Sequence, residues 1–175
     1  MKKYSFILVF LCLCACASVR VSYDYDPATD FSAYRTYNYF GDMYTGLSDL
    51  DTKRLINAVD SVMQQNGIKL AEEPEFLINI QSQSYHNPQN SSVGVGVGGT
   101  SGNVGGGVSI GVPVGGNSLE RELIFDFVDS QKNQLFWQAI SISNLNENAD
   151  PLTREKKISE IVNKVFSKYP PSSKK

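Results

Sequence analysis

The chain has 175 residues, 41% of them hydrophobic and 19% charged, which is enough apolar material for one compact core and too little charge for a solvated, disordered chain. The formal charge is −2 with no basic face or stripe, which excludes a nucleic-acid-binding surface. The terminal pair Lys174 and Lys175 reads as a solubilising end rather than a phosphate site.

In chain order, Lys2 and Lys3 come first, an apolar run from Tyr4 to Leu13 follows, broken by Ser5, and the small residue Ala15 precedes Cys16. Basic, apolar, small is the order of a secretory signal. A membrane-spanning helix needs roughly 20 apolar residues, and this run is too short. Leu13-Cys14-Ala15-Cys16 resembles the lipobox of bacterial lipoproteins. Cys12 and Cys14 follow leucines, which are too bulky for the small-residue position. The resemblance implies that residues 1–15 are a signal peptide and that Cys16 becomes the acylated (palmitate-bearing) first residue. One acyl chain holds a protein to a membrane only marginally; the two or three chains implied here make a stable anchor. Ala17, not an acidic residue, follows the cysteine. By resemblance to Gram-negative sorting signals, that implies the periplasmic face of the outer membrane.

The mature part, 16–175, reads as a single domain. Val19, Val21, Tyr23 and Tyr25 alternate with polar residues, a half-buried strand ended by Asp26-Pro27. Tyr34 to Phe40 is a second β-prone stretch, and Gly41 to Gly46 a loop. Ser48 caps a helix with Asp51 three residues on. Leu55, Val59, Val62 and Met63 give it one apolar stripe, and Asn66-Gly67 ends it. Phe76, Ile78 and Ile80 mark a third strand that runs on through Gln83.

Residues 91–117 form a Gly-rich insertion in which valines alternate with small residues. A long hairpin and a mobile loop both fit this composition, and the entropy of ordering glycine favours a poorly ordered segment. Glu120 to Val128 and Leu135 to Ser143 make a hairpin around the turn at 129–134. Asp150-Pro151 opens a last helix with an apolar face of Ile158, Ile161, Val162, Val165 and Tyr169, stopped by Pro170-Pro171. Amphipathic strands and two single-striped helices imply an α+β fold, a two-layer sandwich of a mainly antiparallel sheet with two helices packed on one face.

Tyr23-Asp24-Tyr25-Asp26-Pro27, then Asp30-Phe31-Ser32-Ala33-Tyr34-Arg35-Thr36-Tyr37, resembles the opening of the domain-of-unknown-function 4136 family of bacterial envelope lipoproteins. Leu123 to Asp129 with Leu135-Phe136-Trp137 resembles that family's hairpin, and Phe166, Tyr169, Pro170 and Pro171 its C-terminus. The likeness covers nearly all of the mature chain; Phe40 departs from it, standing where the family commonly has another residue near Tyr39. It implies location and fold, and it carries over no functional residue except the acylated Cys16.

Side-chain chemistry narrows the function further. His86 is the only histidine, so multi-His metal sites are excluded, and its Tyr85-His86-Asn87-Pro88 context reads as an exposed loop. With no cysteine after Cys16, thiol catalysis and Cys-based zinc sites are excluded too. Gly94 to Gly99 matches Gly-x-Gly-x-x-Gly, but glycines and valines follow where a phosphate site needs a helix. Asp24, Asp26 and Asp30 lack the glycine and terminal glutamate of a calcium loop; they read as a strand face, a turn former and a cap. Glu72, Glu73 and Glu75 read as a solvated run. Tyr23, Tyr25, Tyr34, Tyr37 and Tyr39 crowd the first two strands, either as packing or as a contact surface for a glycan or partner protein.

No catalytic residue, cofactor or metal ligand is assigned, and the chain is expected not to be an enzyme. The expected function is a lipid-anchored, non-enzymatic binding or interaction module of the envelope, joined to the membrane through Cys16, with an envelope protein or glycan as partner and no nucleic acid. The alternatives are a structural role in envelope integrity and an envelope hydrolase.

Overall fold

The computed structural model describes residues 19–87, 92–96, 109–113, 118–144 and 146–171. The signal segment 1–15, Cys16 and much of the 91–117 insertion lie outside the described residues.

Strand β1 (Arg20–Tyr25) is followed by a 3-10 turn (Phe31–Ala33), β2 (Thr36–Tyr39), helix α1 (Asp49–Gln65), β3 (Lys69–Leu70) and β4 (Phe76–Asn87). Next come β5 (Ser92–Gly96), β6 (Ser109–Pro113), β7 (Ser118–Asp129), β8 (Leu135–Asn144) and helix α2 (Pro151–Phe166). Six strands form one sheet in the order β1-β8-β7-β4-β2-β3. The fold is α+β, but the sheet is mixed rather than mainly antiparallel. β1 on β8, β8 on β7 and β7 on β4 are antiparallel, whereas β2 runs parallel to both β4 and β3. Parallel neighbours need a crossover, and α1 supplies the one between β2 and β3.

Alternation decides what each strand buries. Ile78 and Ile80 of β4 stand opposite Phe127 and Phe125 of β7, which in turn stand opposite Trp137 and Ala139 of β8. All six are fully buried. A register shift between Phe127 and Val128 breaks the alternation, so consecutive Phe136 and Trp137 are both in the core. Both helices supply the same cluster: Leu55, Val59 and Met63 from α1, and Ile158, Ile161, Val162, Val165 and Phe166 from α2, with Tyr169 just beyond. Tyr34 lies flat on Phe136 at a centroid distance of 4.1 Å. Among the described residues no helix is long and apolar enough to cross a membrane.

Within the Gly-rich insertion, β5 and β6 pair antiparallel, with Val93 opposite Val112 and Val95 opposite Ile110. The pairing over these residues is that of the hairpin alternative; the rest of 91–117 lies outside the described residues.

Candidate functional site

The Ser48 hydroxyl accepts the Asp51 amide at 3.3 Å and sets the phase of α1. That phase puts Asp51 on the inner face with Leu55, Val59 and Met63, at steps of four. Asp51 is a buried carboxylate. Its two oxygens accept from Arg54 of the same helix at 2.7 Å and Arg154 of α2 at 3.0 Å. Arg154 also donates to the carbonyls of Ala149 (2.9 Å) and Glu147. One guanidinium therefore ties α1, α2 and the loop before α2 together. The start of α2 is fixed by Asp150, which accepts the amides of Leu152 and Thr153.

Beneath this lattice lies a cavity of about 270 Å³ between the two helices and the adjoining ends of β7 and β8. Leu47, Leu123, Ala149, Ile158 and Ile161 give it apolar walls; Arg121 and Arg154 give it positive charge. Arg121 stands opposite Ser143 of β8. Its Nε is buried and has no hydrogen-bond partner among the described residues. Burial pushes the Arg121 pKa below the usual guanidinium value, against the pull of Asp51 and Glu147. Ser141, two residues along β8 from Ser143, also keeps a buried hydroxyl without a partner. Orphaned buried donors are rare and call for an explanation such as a bound ion, ligand or water.

An open cleft of about 820 Å³ lies near the β7–β8 turn, lined by Asp26, Asp30, Glu73, Glu75 and Asp129 among others. Four of these carboxylates have structural work. Asp26 accepts the Ala28 amide, Asp30 caps the 3-10 turn through Ser32, and Glu75 accepts the amides of Arg35 and Thr36. Asp129 accepts the Tyr34 hydroxyl at 2.8 Å and the amides of Gln131 and Lys132. Among the described residues no group of three or more His, Cys, Asp or Glu is arranged to hold a metal ion.

The tyrosines divide. Tyr34, Tyr37 and Tyr39 pack against the core, and the hydroxyls of Tyr37 and Tyr39 both donate to Asp60 of α1, at 2.6 and 2.7 Å. Burial first, then Asp60, pushes both phenols well above their ordinary range. Tyr23 is 43% exposed and stacks on Tyr25.

Cys16 lies outside the described residues. The backbone of His86 belongs to β4, opposite Leu119, and not to a loop, because the β4–β7 ladder runs on to the base of the Gly-rich segment. Gly94 and Gly96 lie in β5 and pair with β6, which gives the glycine pattern a strand in place of a phosphate-binding turn. Glu75 is bound to two amides rather than merely solvated. Sequence pattern marked Asp51 only as part of the helix cap, and Arg121 and Arg154 were not singled out. The signal for Asp51 was present: it stands one helical step before Leu55 on the apolar stripe, where a carboxylate survives only when paired.

The family model for the domain of unknown function DUF4136 matches residues 21–171. No curated protein matches the chain in sequence. The fold is similar to that of a PDZ domain protein from Parabacteroides distasonis, with 12% identity and a TM-score of 0.58 over 90% of this chain and 37% of that one. The chain thus spans little more than a third of that protein's length. Two dodecamer structures of PelC from Paraburkholderia phytofirmans align over 86% of this chain and 95% and 96% of theirs, at 10% and 9% identity and TM-scores of 0.47 and 0.49.

Proposed function

The chain belongs to the DUF4136 family, and from that premise we propose that it is a lipid-anchored, non-enzymatic binding module on the periplasmic face of the outer membrane, held there by Cys16. The carrying observation is the position of β1. It begins at Arg20, four residues after Cys16, and is zipped along β8 from Arg20 opposite Ile142 to Tyr25 opposite Trp137. Acyl chains on Cys16 would therefore hold this end of the sheet against the bilayer. The same end carries the cavity, whose wall includes Ser143 and Asn144.

The use made of the buried carboxylates favours binding over catalysis. Asp51 holds Arg54 and Arg154, Glu120 holds Arg20 and Tyr85, and Asp129 holds Tyr34 and two turn amides. Each serves the architecture through these bonds. The proposal includes a two-layer arrangement with both helices over one face of the sheet, supported by the single cluster that helix and sheet side chains share.

In-cell cross-linking of a C-terminally tagged chain, followed by purification from outer-membrane fractions, tests this against a Cys16→Ser control. Recovery of one envelope component with the wild type and its loss with the control is the expected result. Equal distribution of both forms between membrane and soluble fractions, or no component above the control, would contradict it.

A further inference from the structure

The cavity beside Arg121 has features that point to one class of ligand. Its walls are aliphatic, from Leu123 of β7 and Ile158 and Ile161 of α2. Its charge is positive on balance: Arg121, Arg154 and Lys157 line it together with one carboxylate, Asp51, which also pairs with Arg54. Arg54 and Arg154 are engaged by Asp51, whereas Arg121 retains a buried N–H that donates to nothing among the described residues. A buried cationic donor without an acceptor loses the hydrogen bonds it would make in water, and an anionic acceptor restores them. At about 270 Å³ the cavity lies just under the lower end of the roughly 300–1,000 Å³ typical of small-molecule sites, so its occupant is small or only partly enclosed. It also lies at the end of the sheet where β1 begins. Arg20 is paired with Ile142, next to Ser143 of the cavity wall, and the three residue-to-residue steps from Cys16 to Val19 reach at most about 11 Å.

We propose that this cavity binds a single-chain anionic amphiphile, with the apolar chain against Leu123, Ile158 and Ile161 and a carboxylate or phosphate on Arg121. Free fatty acids and lysophospholipids both present this chemistry. The inference deepens the binding-module proposal by naming its ligand class, yet the site does not require Cys16 to be acylated, so the two can fail separately.

The test uses the full chain carrying Cys16→Ser, which also removes any acyl chain of its own from competition. Titration calorimetry with decanoate, below its micelle concentration, is compared with decanol, butyrate and a decanoyl lysophosphatidylglycerol. Decanoate or the lysophospholipid is expected to bind at one site per chain, with decanol and butyrate at least about tenfold weaker; whichever anion binds more tightly identifies the source. Arg121→Gln, which keeps most of the side-chain volume, is expected to weaken binding of the anion about tenfold or more, the scale of one charge-assisted hydrogen bond, and to leave decanol unchanged. Ala149→Trp fills the cavity from the loop and is expected to abolish binding; circular dichroism confirms that each variant is folded. Decanol binding as tightly as decanoate, anion binding indifferent to both substitutions, or no binding of either anion would overturn the proposal, the last leaving Arg121 with water alone.

Discussion

Tyr34 and Asp129 show how one polar contact serves both the core and the turn that ends β7. The Tyr34 ring stacks on Phe136 while its hydroxyl reaches Asp129. Burial works to raise the Asp129 pKa, but the amides of Lys132 and Gln131, the Tyr34 hydroxyl and the Lys132 ammonium outweigh it and hold it below the usual carboxylate range. Burial and the neighbouring Asp129 push Tyr34 up to about 12. A depressed carboxylate stabilises the fold above its unfolded pKa of about 3.9, and that share is lost as pH falls through the lower folded value. A raised phenol stabilises it below about 10, and that share is lost as pH rises toward the folded value. Urea unfolding across pH is therefore expected to show a stability plateau between these limits and a decline on both sides. In Tyr34→Phe the alkaline decline should shrink; an unchanged profile would show that the pair contributes nothing.

At the same scale, Gly46 has φ +71°, and a Cβ there would come within 3.0 Å of the Ser82 carbonyl oxygen. Gly67 has φ +77° with nothing within 4 Å. Both substitutions to alanine meet the left-handed penalty of about 1 kcal/mol or more, but only Gly46→Ala also drives a side chain into the backbone of β4. Gly46→Ala is expected to lower the urea midpoint more than Gly67→Ala does; the reverse order would show that the 41–47 loop yields without cost.

Among the elements, those with strong periodic signals were legible. The four-and-three spacing of α1 and α2, their caps at Ser48 and Asp150, and the β7–β8 hairpin are all present as the residues imply. Asp150 accepts two amides and the Thr153 hydroxyl. Asp150→Ala is expected to cost about 1 kcal/mol in urea unfolding, with an unchanged slope, and Asp150→Ser less; equal losses would place the effect outside the cap. The parallel part of the sheet was not legible. It depends on β3, two exposed residues with no alternation to detect, and on β2, whose partners lie across a helix. The length of β4 was understated because Ser82 to Asn87 is polar. Its twelve-residue pairing with β7 extends from Phe76 opposite Asp129 to Asn87 opposite Ser118, a register that local composition does not encode.

Across the whole molecule, one aromatic and aliphatic core links the strands to both helices, and at the cavity end β1 is tied to β7, 100 residues further along the chain. Arg20 of β1 binds the buried Glu120 of β7 through both carboxylate oxygens, at 3.1 and 2.9 Å, beside Tyr85. Sequence reasoning proposes Cys16 because an export signal is a local pattern. It missed the cavity because Asp51, Arg121 and Arg154 lie far apart in the chain and are brought together only by α1, β7 and α2. The proposed ligand and the proposed anchor fit together, because β1 begins at the end of the sheet that carries the cavity. The proposed function rests on the anchor at Cys16. Intact-mass and peptide mass spectrometry of the chain purified from cell envelopes tests it most directly. The account predicts a mature N-terminus at Cys16 carrying two or three acyl chains. A chain that begins elsewhere, or an unmodified Cys16, would contradict it.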